Sequence, residues 1–279
     1  MNIEFRADLH THTYCSDGTD SPLELLQKAK NAGLQGLSIT DHDTLDAYTD
    51  DFFVLAKSLG IEILPGIEIS SEDGDASVHI LGYNIDLSSQ RFRLFLQEMI
   101  RRRSERNRKI LAKLEQRGFV IQEEELLQHA RLQFPGRTIG RPHIADFMVK
   151  KGYVSTMQAA FERYLREGGL CFVPGIRYTP LEVIDQVHAA GGKAVLAHPH
   201  FIKNGSLLHR LLALPFDGLE CYYGTLLLDQ ERTWIELAKR KGWIATGGSD
   251  YHGTIKSHIS LGCSWVGRDI FDLLRKETS

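Results

Sequence analysis

Residues 21–40 read SPLELLQKAKNAGLQGLSIT, and residues 179–198 read TPLEVIDQVHAAGGKAVLAH. In each stretch a hydroxyl residue precedes Pro, and Glu stands three positions after the hydroxyl. That is a capping box with Pro at the first helical position. In the first stretch Leu23, Leu26 and Ala29 supply an apolar stripe, with Leu25 beside it, and Gly33 ends the helix as a C-cap glycine does. The second helix also ends in Gly. A short apolar strand follows each, at Gly36–Thr40 and Lys193–His198. A capped helix leading into a strand, used twice, implies parallel βα units and hence an α/β sheet or barrel.

Working outward, the pattern predicts strands at Phe5–His10, Glu62–Ser70, His79–Ile85, Gly218–Tyr223 and Trp243–Ser249. It predicts helices at Asp43–Leu59 and Leu226–Lys241. About seven strands approach a TIM-like barrel and fall one short of it. Residues 99–171 behave differently, with helical periodicity and almost no strand signal. This stretch holds 15 Lys/Arg against 8 Asp/Glu, and the remainder holds 18 against 28. A solvated helix face accounts for many of these side chains. The segregation of charge favours, for the segment as a whole, an inserted cap that draws an anionic substrate toward an acidic barrel mouth. The expected organisation is therefore a distorted (β/α)7 barrel from residues 1–98 and 172–279, interrupted by a helical, basic insertion at 99–171.

The 279 residues suffice for one large domain or a domain with a modest insertion. A hydrophobic fraction of 42% and a charged fraction of 25% exclude wholesale disorder and fibrous repeats. No apolar run approaches the roughly 18–20 residues that span a bilayer, so no membrane partner is expected. The start, MNIEFRADLH, lacks a signal-peptide pattern. Cys15, Cys171, Cys221 and Cys263 form no CxxC pair, which argues against a disulfide framework or a thiolate zinc site. A reducing cytoplasm is the compartment expected.

Where the twelve histidines fall is informative. His10 and His12 share one face of a strand, so both imidazoles can converge on one ion. Asp17 follows in a Ser-Asp-Gly turn. Asp41-His42-Asp43 comes directly after the strand GLSIT. Glu68 ends ILPGIEI, a poor place for a carboxylate without a partner. His79 begins HILGY, His198 and His200 follow KAVLA, and Asp250 and His252 follow WIAT. Each alone is an ordinary cap or turn residue. Together they put His, Asp or Glu at nearly every C-terminal strand end, where α/β barrels place active sites. Nitrogen and oxygen donors without sulfur suit Mn, Zn or Fe(II), and nine such donors exceed what one ion needs. Two or three divalent ions are expected.

The motifs DLHTHTYCSDG, ITDHD, GIEIS, VHILGY, LAHP and GSDYH resemble, in order and spacing, those of the polymerase and histidinol phosphatase (PHP) superfamily. The resemblance covers about residues 5–98 and 172–265. With GRPHIADFMVKKGY and FVPGIRYTP, the chain looks most like small stand-alone PHP phosphoesterases, which act on nucleoside 3′,5′-bisphosphates and on 5′ ends of short oligonucleotides. It implies that His10, His12, Glu68 and Asp250 hold one ion. Glu68 would bridge to a second, completed by His79 and His198, and Asp17, His42 and His252 would hold the third. Many PHP proteins carry His where this chain has Asp17, a harder ligand that favours Mn over Zn.

Clustered cations can clamp a phosphate, lower the pKa of a bound water and neutralise the leaving oxygen, which suits hydrolysis of a phosphomonoester. Glu68, Asp250 and His198 are the expected catalytic residues. Arg141, His143 and Arg177 are the expected substrate contacts, because guanidinium suits bidentate phosphate binding. Tyr222, Tyr223 and Phe172 are weighed as base-stacking residues, and Asp8 and Asp43 as acceptors that orient ligand histidines. The expected partner is a small anionic nucleotide or a short RNA or DNA end, with no obligate protein partner. Two alternatives stand beside it: a histidinol-phosphate-type phosphatase or PHP exonuclease, and a non-catalytic, metal-stabilised nucleic-acid-binding module using Arg101–Arg117.

Overall fold

A computed structural model describes residues 4–74, 76–133, 139–174 and 178–275. β1 (Ala7–Asp8) leads to α1 (Pro22–Asn31), where Ser21 and Glu24 close the reciprocal cap and Gly33 turns the chain out at φ 74°. Then come β2 (Gly36–Leu37), α2 (Asp50–Leu59), β3 (Glu62–Ile63), β4 (Gly66–Asp73) and β5 (Ala76–Tyr83). The middle is α3 (Gln90–Glu115), α4 (Glu123–Gln133), α5 (Arg141–Lys150) and α6 (Met157–Ala160), which runs into a π-helical turn at Phe161–Leu165. α7 (Pro180–Ala189), opened by the Thr179–Glu182 capping box, leads to β6 (Lys193–Leu196) and α8 (Gly205–Leu211). β7 (Gly218–Tyr223), α9 (Leu228–Lys241), β8 (Ile244–Gly248) and α10 (Arg268–Arg275) complete the order.

β1, β2 and β3 pair in parallel, and β4 to β8 form a five-stranded sheet. Two bridges, His42 with Glu68 and Thr11 with Tyr251, join the sheets at the ends that carry the candidate ligands. The two sheets thus close into a ring in which β3 and β4 act as one staggered strand. The sequence pattern made Glu62–Ser70 a single strand; it breaks at Leu64-Pro65, because Pro has no N–H to give a ladder. The all-parallel expectation also fails at one place. β5 runs antiparallel to both β4 and β6, since the short turn from Asp73 to Ala76 leaves no room for a helical crossover. The helix expected at Asp43–Leu59 begins only at Asp50. Thr49 caps it, and Asp43 stands at φ 56°, which no helix continues through.

Leu9, Leu64, Leu81 and Val195 pack with the fully buried Tyr83 in one apolar cluster, while α7 and α8 cover the β4–β7 face through Val183, Ile184 and Leu211. The middle of the chain has an apolar cluster of its own, built on Ile110, Leu114, Ile144, Phe147 and Leu165. α3 serves both clusters. Phe92, Phe95 and Met99 pack on the barrel and Ile110, Leu111 and Leu114 in the second cluster, so the expected boundary at 98/99 falls inside one unbroken helix.

The basic face of α3 is divided. Arg101 and Arg102 pair with Glu98, Arg101 also with Glu105, and Arg108 with Glu123, all at the surface where such pairs add little stability. Arg106 turns inward and gives its Nε–H to the Val173 carbonyl at 2.9 Å. Arg103 reaches the barrel, where it bonds Asp43 and, at 3.2 Å, Ser70 Oγ.

Candidate active site

The strand ends deliver their polar residues to one point. Glu68, on β4, is 1% exposed and lies at the centre. Its Oε1 is 2.8 Å from His79 Nδ1 and 3.0 Å from His198 Nε2; its Oε2 is 3.2 Å from His10 Nε2, 3.1 Å from His12 Nε2 and 3.4 Å from His42 Nδ1. Asp250 Oδ1 stands 3.4 Å from ring nitrogens of His10, His12 and His252. Asp17 faces His252 at 3.3 Å, His12 at 3.6 Å and His42 at 3.7 Å.

The backbone is shaped to achieve this. Of the four described non-glycine residues at positive φ, three are Asp43, His198 and Asp250, each next to or within this cluster. Sparse backbone conformations of this kind persist where surrounding structure enforces them. At Gly248 a Cβ would run into the backbone and side chain of His10, so only glycine lets β8 approach the segment after β1 that carries the first two histidines.

The electrostatics are those of a site built for cations. Burial opposes charge on Glu68, Asp17 and Asp250, yet the surrounding imidazoles hold all three carboxylates well below their usual range. Burial likewise opposes a proton on His12, and the nearby Asp250 and Glu68 carboxylates overcome it, raising the ring to about 9. His42 goes the other way, down to about 3, because burial outweighs its carboxylate neighbours. Protons and charge repulsion are thus concentrated where neutral ligand nitrogens are wanted.

The donor set fits metal ions. His12 Nε2 and His42 Nδ1 are buried with no hydrogen-bond partner, a costly state for a polar atom unless something else engages it. Three groups have ligand atoms all within 4.8 Å of one another: His10, His12, Glu68 and Asp250; His12, Asp17, His42 and His252; and His42, Glu68 and His79. Among the described residues these groups bring together eight of the nine sequence-predicted ligands. His198 joins them through Glu68.

The orienting acceptors differ from those expected. Asp8 takes backbone N–H groups of His10, Ser249 and Gly262 and so ties strand ends rather than a ring. Asp43 takes the Ser70 N–H and Arg103. The carboxylate on a ligand histidine is Glu220, fully buried in β7. It lies 2.7 Å from His10 Nδ1 and accepts the His198 N–H at 2.7 Å. Asp41 has a similar task one layer out, holding Thr13 and Ser16 in the loop that carries Asp17. Tyr223 Oη and Lys256 Nζ both bond Asp250 Oδ2 at 2.5 Å, which leaves Oδ1 to face the histidines.

An open cavity of about 500 Å3 lies over the cluster, and Pro142, His143 and Met157 of the middle segment form part of its wall. The Gly140 N–H meets His143 Nδ1 at 3.0 Å, so that nitrogen accepts and the proton sits on Nε2. Burial pushes the His143 pKa down, keeping the ring neutral. Arg141 lies one compartment away, in an adjoining cavity of about 440 Å3 with Lys203 and Asn204; His79, His198 and Phe201 line both. Its Nη1 bonds the Leu165 carbonyl at 3.1 Å. Arg177 lies outside the described residues. His258 is exposed and His200 half-buried, packed against Phe201 and Tyr223.

Comparison with known proteins agrees with this geometry. The family profile of the PHP domain matches residues 8–167, more than half of the chain. The chain belongs to the PHP family. This PHP protein is 35% identical to the 5′-3′ exoribonuclease Rnm of Salmonella typhimurium over 93% of its own length and 86% of the relative's. It is 31% identical to the 3′,5′-nucleoside bisphosphate phosphatase of Chromobacterium violaceum, over 88% and 86%. Among solved structures, a Bifidobacterium adolescentis protein assigned to the metal-dependent phosphoesterases superposes with a TM-score of 0.82 at 32% identity, covering 96% of this chain and 94% of that one. The PHP protein is accordingly a hydrolase of phosphate esters, its cluster fits divalent cations, and the non-catalytic alternative is set aside. Among the described residues no helix is long and apolar enough to cross a membrane.

Proposed function

We propose that this enzyme removes a phosphate from a nucleotide, in the first place the 3′-phosphate of a nucleoside 3′,5′-bisphosphate, and that the same site accepts 5′ ends of short oligonucleotides. The observation that carries the reading is the pair of adjoining cavities. One contains the ligand cluster and the other the Arg141 and Lys203 cations, with His79, His198 and Phe201 as their common wall. A substrate with two anionic groups on one sugar spans such a pair. The names of the two relatives above, one acting on RNA and one on bisphosphates, support the same substrate class.

His10, His12, Glu68 and Asp250 would hold one ion. Glu68, His79 and His198 would hold a second, and Asp17, His42 and His252 a third, with Mn preferred and Zn or Fe(II) as alternatives. Bound there, divalent ions would polarise the phosphate and acidify a water. The protein's own groups do the rest. Glu220 fixes the His10 ring, while Tyr223 and Lys256 hold Asp250 in one orientation. The Nε2–H of neutral His143 donates to a phosphate or leaving oxygen, and Arg141 (with Arg177 the next in line) binds the second phosphate. Residues 99–171 act as the cap that carries His143 and Arg141. That the four cysteines form no disulfide supports a reducing, cytoplasmic setting.

The test is steady-state phosphate release by wild type and Arg141→Ala on a 3′,5′-bisphosphate and on a plain nucleoside monophosphate. Loss of a charge-assisted contact lowers kcat/KM by about ten- to a hundred-fold on the bisphosphate and by less on the monophosphate. Equal losses on both, or none on either, would remove Arg141 from substrate binding.

A further inference from the structure

Three large apolar side chains stand half-exposed around the mouth of the catalytic cavity: Phe201 at 54%, Ile255 at 50% and Met157 at 41%. Isolated exposed apolar residues are ordinary, but these come from three separate segments and meet at one opening beside a cluster of charged ligands. Phe201 follows β6 in a short 3-10 turn, Ile255 follows β8 in another, and Met157 starts α6 of the middle segment. Phe201 is held rather than loose. Its ring centroid is 4.2 Å from that of His200, 5.4 Å from His198 and 5.5 Å from Tyr223. His200, with both ring nitrogens buried and without a hydrogen-bond partner, packs against it at an interplanar angle of 50°.

We propose that Phe201, with Ile255 and Met157 at the same opening, is a stacking clamp for the nucleobase of the bound substrate. The inference rests on the nucleotide reading above and adds what recognises the base. The surroundings select that occupant. Phe201 belongs to both cavities, so a flat apolar group on it lies between the ligand cluster on one side and Arg141 and Lys203 on the other, the groups proposed above to hold the two phosphates. A nucleoside bearing phosphates has that layout. The aromatic residues weighed from the sequence are otherwise engaged: Tyr222 packs against the buried core, the Tyr223 hydroxyl bonds Asp250, and Phe172 lies beneath the guanidinium groups of Arg106 and Arg141. Stacking on a base is tolerant of sequence, so the clamp would favour nucleotides as a class over one particular base.

The experiment compares metal-loaded wild type, Phe201→Ala and Phe201→Trp on a nucleoside 3′,5′-bisphosphate and on the corresponding base-free sugar bisphosphate. Loss of the stack should raise KM for the nucleotide by about five- to a hundred-fold. Phe201→Trp should restore KM, and the base-free ester should be handled alike by all three proteins with unchanged metal content. Equal changes on the two substrates, or no change on the nucleotide that wild type turns over, would overturn the clamp alone. A wild-type enzyme that hydrolyses the base-free ester but not the nucleotide would overturn the nucleotide reading itself, and the clamp with it.

Discussion

Histidines occur in both the barrel mouth and the helical middle segment, and their surroundings differ. At the mouth, His12 and His42 each keep a buried nitrogen without a hydrogen-bond partner, and the Glu68 carboxylate stands 3.1 and 3.4 Å from those nitrogens. In the helical middle segment, His129 has both nitrogens engaged. Asp146 Oδ2 lies 2.6 Å from Nε2 and Lys150 Nζ 3.0 Å from Nδ1. The lesson concerns what burial of a polar ring means. A satisfied imidazole is part of the packing, whereas one left short among anions marks a place where something positive belongs.

The most severe way to test that contrast is Glu68→Gln. This one side chain touches five imidazoles, so its neutralisation should cost about three orders of magnitude in turnover and lower bound metal. Turnover with metal analysis checks it; near-normal activity at full metal content would break the contrast at its centre. Glu220→Ala should come next. It leaves His10 Nδ1 and the His198 N–H unpaired and should weaken metal affinity by about ten- to a hundred-fold, read by chelator competition.

A third test sharpens the electrostatic side. In the metal-free protein the His12 proton is held up to about pH 9, so a cation must displace it at neutral pH. Affinity should therefore rise with pH until about 9 and fall as pH drops, by at most about tenfold per unit for that one proton. Calorimetry in buffers of differing ionisation enthalpy would show the proton release; pH-independent affinity between 7 and 9 would contradict it. The smallest effect is expected in the insertion. His129→Leu should cost about 1–3 kcal/mol of stability by orphaning Asp146 and Lys150, with metal content and turnover unchanged. A loss of metal there would mean that satisfied and unsatisfied rings are not distinct classes.

Much of this was legible in the residues because the signals are local. Ser21, Thr179 and their glutamates announce helices within four positions, and ligands at strand ends stand beside the apolar runs that carry them. What escaped depends on distance in the chain. Glu220 sits in GLECYY and reads as one more alternating strand. Yet the reasoning that singled out Glu68, a carboxylate in an apolar strand needing a partner, applies to it equally. Asp43 shows its partner only when Arg103, sixty positions on, folds back over it. The antiparallel β5 was hidden because strand periodicity is the same in either direction.

The unbroken α3 has a mechanical consequence. A helix of 26 residues is about 39 Å of stiff rod, anchored in the barrel at one end and carrying the inserted helices at the other. One residue added between Met99 and Arg103 would swing everything beyond it by about 100° and withdraw Arg103 from Asp43. The overhang above the catalytic mouth is thus indexed by helical phase. Lengthening this rod by whole turns or by fractions of one would yield different enclosures from the same catalytic ring.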